Sequence, residues 1–413
     1  MANLPRGWEV KKLGDIVKLK NGFAFKGNLF YDTGIPIIRI KNIQNENIVL
    51  DDLVFCNPND YKNNLDNYLI QKNDILIAMS GATTGKIGLY NLNNKAYLNQ
   101  RVGLLRIDND ILRKYIFWFL YCNSEQNLTN AFGAAQPNLS TEQIHNIQIP
   151  LPPLKEQERI VGILDESFAK IDESIKILEQ DLLNLDELMQ SALQKAFNPL
   201  KDNAKENYQL PQGWEWKNLG DISNLIQNGF AASKNNEIPS GYVHLRTHNI
   251  STDGNLNFDT LIKIKREFIK EKQSFIEKND ILFNNTNSTE LVGKTALVTQ
   301  NYNYAFSNHL TKIKLKNQYN SKLVVFYFVL LLKNKYFEKI CHQWIGQSGI
   351  NIDKLKKIQI PLPKDIKEQE QIASHLDELS SHVKKLKQNY QAQIKDLQEL
   401  KNSLLDKAFK GNL

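Results

Sequence analysis

A set of landmarks in the first half of the chain returns in the second half at a nearly constant distance. Leu4-Pro5-Arg6-Gly7-Trp8-Glu9 reappears as Leu210-Pro211-Gln212-Gly213-Trp214-Glu215, and Lys72-Asn73-Asp74-Ile75-Leu76 as Lys278-Asn279-Asp280-Ile281-Leu282, both 206 residues on. Gly85-Lys86 returns as Gly293-Lys294, Ile147-Gln148-Ile149-Pro150-Leu151-Pro152 as Ile358-Gln359-Ile360-Pro361-Leu362-Pro363, Lys155-Glu156-Gln157-Glu158 as Lys367-Glu368-Gln369-Glu370, and Lys195-Ala196-Phe197 as Lys407-Ala408-Phe409. The period is far longer than that of a solenoid, whose units run roughly 20–50 residues. A whole module has been duplicated in tandem, which implies one function carried out at two places on one partner.

A chain of 413 residues suits about two to four domains, each able to bury a core. Cys56, Cys122 and Cys341 are isolated, so neither a disulfide scaffold nor a cysteine-rich zinc site is expected, and a reducing compartment is. The first residues carry no apolar signal core. The longest apolar run, Leu323 to Leu332, is half a membrane span and reads as a buried helix. These features lead to the expectation of a cytoplasmic protein. The net charge of +7 divides as +3 over residues 1–154, −5 over 155–209, +9 over 210–364 and zero over 365–413. Basic long segments suit a polyanion such as nucleic acid, although a solvated lysine surface gives the same count.

The order is globular, helical, globular, helical. Residues 1–152 and 210–363 mix short β-branched runs with Gly and Asn turns. Ile35–Ile40, Asp74–Ala78 and Val102–Ile107 read as strands, and Tyr115–Tyr121 and Val324–Leu331 as packed helices, predicting a mixed α/β (α+β) fold. Each globular segment ends in a proline-rich stop that blocks a helix from running backward. From 153 to 198, Val161, Leu164, Phe168, Ile171, Ile175, Leu178, Leu182, Leu185, Met189, Ala192 and Ala196 recur in steps of three and four. From 364 to 413, Leu376, Leu379, Val383, Leu386, Tyr390, Gln393, Leu397, Leu400 and Leu404 do the same, with Gln393 either a register-setting polar residue or a partly exposed one. Such heptad seams predict two helices of about 60 Å, each needing a partner. They can cover each other as an antiparallel coiled coil with an internal pseudo-two-fold. Residues 199–209 are polar and aperiodic and read as a linker.

This plan, with its opening L-P-x-G-W-E, its K-N-D-I-L strand and its proline-stopped run into a long helix, resembles the specificity subunit of type I restriction–modification systems over essentially the whole length. The second helix departs at Pro363-Lys364-Asp365-Ile366-Lys367, so two docking faces need not be equal. The resemblance implies two target-recognition domains on a helical spacer, and an activity of recognition rather than catalysis. It also implies double-stranded DNA and two methyltransferase subunits as partners, with restriction subunits joined through them. S-adenosylmethionine, ATP and Mg²⁺ then belong to partner chains and no cofactor to this one. Two readers on a rigid strut can reach major grooves about one turn apart, and their divergence between shared landmarks implies a bipartite, asymmetric target.

Base reading and phosphate clamping need Arg, Lys, Asn, Gln, Ser or Thr at loop edges. Three clusters recur. Lys20-Asn21-Gly22, with Lys26 beyond it, matches Gln227-Asn228-Gly229, with Lys234 beyond it; Asn-Gly is equally a tight-turn pair. Arg39, Lys41 and Asn42 match Arg246, His248 and Asn249, where strand-end polar residues can instead be loop caps. Ser80, Thr83, Thr84 and Lys86 match Asn285, Thr286, Asn287, Ser288 and Lys294. The last loop fails as a nucleotide-binding P-loop: three residues, not four, part its glycines, and Ile87 follows the lysine. Further candidates are Asn99, Gln100 and Arg101, Asn308 and His309, and Gln136-Pro137-Asn138, matched loosely by Ser348-Gly349-Ile350-Asn351. Trp8 and Trp214 stand in the shared motif and read as core anchors. On the helices, Glu156, Gln157 and Arg159 with Glu368, Gln369 and Gln371 are candidates for partner docking, although acidic first turns also suit the helix dipole.

No zinc-binding histidine spacing, dinucleotide-binding glycine motif or nucleophile elbow is present, and His244 and His248 sit four apart on an expected strand. A DNA-recognition scaffold leads, ahead of a coiled-coil adaptor with two protein-binding ends and of an enzyme on a duplicated fold.

Overall fold

The computed structural model describes residues 4–44, 46–124, 138–197, 210–269 and 275–413. It divides into two compact units, residues 1–178 with 392–413, and residues 179–391.

In the first unit a six-stranded sheet runs Leu19–Asn21, Val102–Leu105, Ile75–Ala78, Ile87–Leu89, Glu46–Ile48 and Ile43–Gln44. A four-stranded sheet runs Val54–Cys56, Ile35–Ile38, Ala96–Leu98 and Leu69–Ile70, with Ile35–Ile38 and Ala96–Leu98 parallel. Strands Glu9–Lys12 and Gln148–Leu151 pair antiparallel and bring the two ends of the segment together. The second unit repeats the plan. Ser223–Asn228, Leu310–Leu315, Ile281–Asn284 and Thr295–Leu297 form one sheet, and Lys263–Ile264, Glu237–Leu245 and Ala305–Phe306 a second. Trp214–Asn218 pairs with Gln359–Pro363. A short sheet joins Thr286–Asn287, Gln347–Gly349 and His342–Trp344, and Ser80 bridges to Asn138 at the corresponding place in the first unit.

The shared motifs are structural. In L-P-x-G-W the glycines take φ +91° (Gly7) and +87° (Gly213), and the tryptophan N–H donates to the proline carbonyl, 3.2 Å at Trp8 and 3.1 Å at Trp214. This is a type II turn, which favours glycine at its third position. Both tryptophans then pack against their unit's main core. In K-N-D the asparagines take φ +71°, and Asp74 and Asp280 accept the N–H three residues back, closing the turn that feeds the buried strand.

The two turns differ in how the buried carboxylate is answered. Arg106 grips Asp74 with Nε 2.8 Å from Oδ1 and Nη2 2.6 Å from Oδ2. Lys314, at the corresponding register of its sheet, instead reaches exposed Glu277 at 2.6 Å. Asp280 is left buried with Oδ1 unpartnered. Burial therefore raises the Asp280 pKa, against a smaller lowering by the Glu277 N–H. The folded state then holds this proton to higher pH than the unfolded chain, so stability falls as pH rises through the carboxylate range. Asp280→Asn is expected to flatten that fall in a series of denaturation curves from acidic to neutral pH. An unchanged slope would mean Asp280 does not carry it.

The long helices run Leu154–Phe197 and Ile366–Lys410. Within the first unit Asp172 meets Lys401 at 3.0 Å and Arg159 donates to the Leu413 carbonyl at 3.0 Å, an antiparallel pairing. Within the second, Asp186 meets Lys387 at 2.7 Å, and Leu193 shares a core with Ala373 and Leu376. The seam departs from strict heptads. Val161, Leu164, Phe168 and Ile171 are buried, because Phe409, Leu405 and the helix Asp110–Cys122 close over them as well. Ile177 and Leu400 are about half exposed, since a two-helix pair covers one side only. At the end of the first helix Leu193 and Phe197 are buried where Ala192 and Ala196 were expected to lead, because that turn faces the helix Ser321–Lys333 rather than the other long helix alone. Gln393 is exposed. Among the described residues no helix is long and apolar enough to cross a membrane.

Candidate nucleic-acid interface

In each unit the recurrent loops meet along one edge. In the first, the Phe23 N–H donates to the Leu98 carbonyl and the Gln100 N–H to the Phe23 carbonyl, tying segment 20–24 to 99–101. The Met79 N–H donates to the Arg101 carbonyl, bringing in the loop after Ile75–Ala78. That loop is folded on itself, with Ala78 and Lys86 paired and Thr84 donating to the Gly81 carbonyl at 2.7 Å. Thr83 Oγ1 reaches the Ile40 carbonyl at 3.0 Å, joining the second cluster to the third. Ser80 bridges to Asn138, and Asn21 Nδ2 donates to Thr141 at 3.0 Å.

The second unit repeats these joints with different side chains. The Asn308 N–H donates to the Phe230 carbonyl, and the Asn285 N–H to the His309 carbonyl. Asn285 is buried, and its Nδ2 reaches the Asn308 carbonyl at 3.0 Å and Thr311 Oγ1 at 2.9 Å. Thr311 in turn donates to Asn228 Oδ1 at 2.7 Å. Thr289 and Ser348 hydroxyls lie 2.8 Å apart.

The Asn-Gly pairs are not tight turns. Neither Gly22 nor Gly229 takes a positive φ. They are glycines because a Cβ would collide with backbone carbonyls, Asn99 and Leu98 in one unit and Phe306 and Ser307 in the other.

The placement sorts the sequence candidates. Lys20, Asn21, Lys26, Gln100 and Arg101 are exposed in the first unit, and Asn228, Lys234, His248, Ser288 and Asn308 in the second. Ser80, Thr83, Lys86, Asn99, Gln227, Thr286, Asn287 and His309 are half-buried along the same edges. Lys86 Nζ reaches Gln44 Oε1 at 3.0 Å at an exposed position. Lys41 pairs with exposed Asp52 at 3.1 Å. Gln136 lies outside the described residues.

Six expected contacts are corrected. Asn42 and Asn249 are buried and cap their own turns: their Oδ1 accepts the N–H of Arg39 and Arg246, and their Nδ2 donates to loop carbonyls. Asn285 is the buried hub described above. Thr84 is buried over Gly81. Lys294 is buried with Nζ 2.9 Å from the Thr247 carbonyl, and burial lowers its pKa. Arg246 is half-buried, donates to the Ala232 carbonyl at 3.1 Å, and has its pKa lowered by burial. These side chains hold the loops in place, and all but the half-buried Arg246 are buried. His248 lies on the turn Thr247–Asn249 rather than on the strand that carries His244, which is buried, with its pKa pushed down to about 4 by burial.

The docking candidates are sorted too. Gln157 and Gln369 are buried, and their amides donate at 2.8 Å to the carbonyls of Pro152 and Pro363, closing each helix start. Gln369 Oε1 also accepts the Asn320 N–H at 2.9 Å, and Glu368 accepts the Trp214 indole at 2.9 Å. These three are internal braces. Glu156 forms a bidentate pair with Arg159, which lowers the carboxyl pKa. Arg159 and Gln371 are exposed.

A family model described as the type I restriction modification DNA specificity domain matches residues 5–182 and again 211–396. The StySPI specificity subunit of Salmonella potsdam is 28% identical over 99% of this chain and 90% of its own length. The EcoKI specificity subunit of Escherichia coli K12 is 27% identical over the same shares. Among solved structures, a chain from work on assembly and conformational transition of the type I R-M system aligns over 100% of both chains with a TM-score of 0.76 and 21% identity. The HsdS subunit from Thermoanaerobacter tengcongensis aligns over 100% of this chain and 98% of its own, with a TM-score of 0.55 and 20% identity. At these identities the structures speak for the fold.

Proposed function

This chain belongs to the type I restriction–modification DNA specificity family, and from that membership and its two loop edges we propose that it reads a bipartite, asymmetric duplex target, one half-site per repeat. The observation that carries the reading is that corresponding backbone bonds in both units tie the first and third clusters to the segment at 98–101 or 306–309, while the outward side chains differ. A shared scaffold with unlike readers is what two different half-sites require. The first edge offers Lys20, Lys86 and Arg101 as phosphate partners and Asn21, Asn99 and Gln100 as base-edge partners. The second offers Lys234 with Gln227, Asn228, Asn287, Asn308 and His309.

The chain acts by recognition, without chemistry of its own. Two methyltransferase subunits dock near the helix starts, where Arg159 and Gln371 are exposed. They supply S-adenosylmethionine chemistry, restriction subunits joining through them supply ATP and Mg²⁺ chemistry, and the assembly works in the cytoplasm.

The test is binding of a duplex by the full chain with its methyltransferase partner across a salt series. The affinity should fall steeply with salt, and Lys86→Ala should lower the slope by about one charge. A slope unchanged in the variant removes Lys86 from the phosphate contacts, and salt-independent binding of protein alone favours an adaptor.

A further inference from the structure

The short sheet that holds His342–Trp344 ends in a feature that the interface above does not use. Strands His342–Trp344 and Gln347–Gly349 form a hairpin whose two-residue turn is Ile345-Gly346, with Gly346 at φ +83°. A glycine there fits a type II turn and fixes the tip. Ile345 is fully exposed and Trp344 about half exposed. The Trp344 ring lies over Gly349, where a Cβ would sit 2.8 Å from Cζ3, and meets the His342 ring at 4.7 Å between centroids. The aromatic side chain is thus held down, and the isoleucine projects beyond it.

The surroundings of the tip say what it meets. The hairpin is hydrogen-bonded to Thr286–Asn287, with Thr286 opposite Gly349 and Asn287 opposite Ser348, so it continues the polar loop edge directly. Residues 342–352 carry no charged side chain; Lys335, Glu338 and Lys339 precede them and Asp353 follows. Lys354 Nζ holds the root by donating to the Ile340 carbonyl at 2.8 Å. Gln343 and Gln347, exposed on the two strands, flank the tip with donors and acceptors.

Resting on the DNA reading above, we propose that Ile345, backed by Trp344, is an apolar wedge that enters a base step of the half-site read by the second repeat and unstacks it. Rigid apolar side chains presented beside polar groove contacts act on duplexes in this way. At the same distance before the shared Ile-Gln-Ile-Pro motif the first repeat reads Gly133-Ala134-Ala135, which lie outside the described residues.

The test uses the full chain with its methyltransferase partner and duplexes carrying the motif it methylates, with 2-aminopurine placed in turn along each half-site. Wild type should raise the fluorescence several-fold at one step of one half-site. Ile345→Ser should abolish the rise and weaken binding about tenfold, and Ile345→Met should restore both. Ile345 is fully exposed, so the fold does not depend on it. Tight binding with no responsive step, or equal affinity for wild type and Ile345→Ser, overturns the wedge and leaves the DNA reading standing. Loss of the methyltransferase with DNA binding intact makes the tip a protein contact and likewise overturns it. Failure of wild type to bind any duplex removes both readings.

Discussion

Arg106→Leu is expected to destabilise the protein by about 3 to 5 kcal/mol, because it leaves a buried carboxylate without its counter-ion. Asp74 is 2% exposed on its side chain, and its remaining partner is the Gln71 N–H. Leucine fills much of the volume and supplies no donor, and the Leu69 carbonyl, now met by Arg106 Nη2 at 3.0 Å, is also released. The repeat provides its own control. Lys314 stands at the same register in the second unit but pairs with Glu277 at the surface. Lys314→Leu should therefore cost below about 1 kcal/mol. Denaturant titration of the two variants measures the contrast, and equal losses would mean that Arg106 is not the answer to a buried charge.

Gly22→Ala and Gly229→Ala should each cost about 2 to 3 kcal/mol, in the range of overpacked sites, and should also displace the loop edge. The added methyl meets backbone carbonyl oxygens, which have no rotamer by which to yield. Segment 20–24 would have to leave 99–101, breaking the Phe23–Leu98 and Gln100–Phe23 hydrogen bonds that join two clusters. Gly27→Ala is the control, since nothing lies within 4 Å of its Cβ position. Thermal melting should separate Gly22→Ala from Gly27→Ala by many degrees. Coincident melting curves would show that the close approach is not rigid.

The duplication, the strand and helix content and the two long helices were legible because each rests on local patterns: repeated landmarks, apolar periodicity, and a proline stop. Gly7, Gly213, Asn73 and Asn279 take the positive φ that their turns need, which gives the physical reason for motifs that in sequence stood only as landmarks and a strand start. The outward face was less legible. A short polar residue at a strand end serves a base edge or its own loop equally well, and only tertiary burial decides. Asn42, Asn249 and Asn285 went to the loop, as did Lys294, whose lysine in the first repeat, Lys86, stays at the surface. Gln157 and Gln369 stood in a motif that reads as a polar helix start, yet both turn inward to the carbonyls before the helix. The hairpin 342–349 did leave a signal, Gly346 and Gly349 after the uncharged run His342-Gln343-Trp344-Ile345, but the periodicity of three-residue strands is too short to recognise.

If the two loop edges read separate half-sites, exchanging one repeat changes one half of the target alone. Single-molecule methylation mapping tests it directly, in cells expressing this chain with its methyltransferase and in cells where residues 1–152 come from a relative. A split motif that depends on the chain, and of which one half alone changes on the swap, is the expected result. A motif that changes in both halves, or one that persists without the chain, would contradict it.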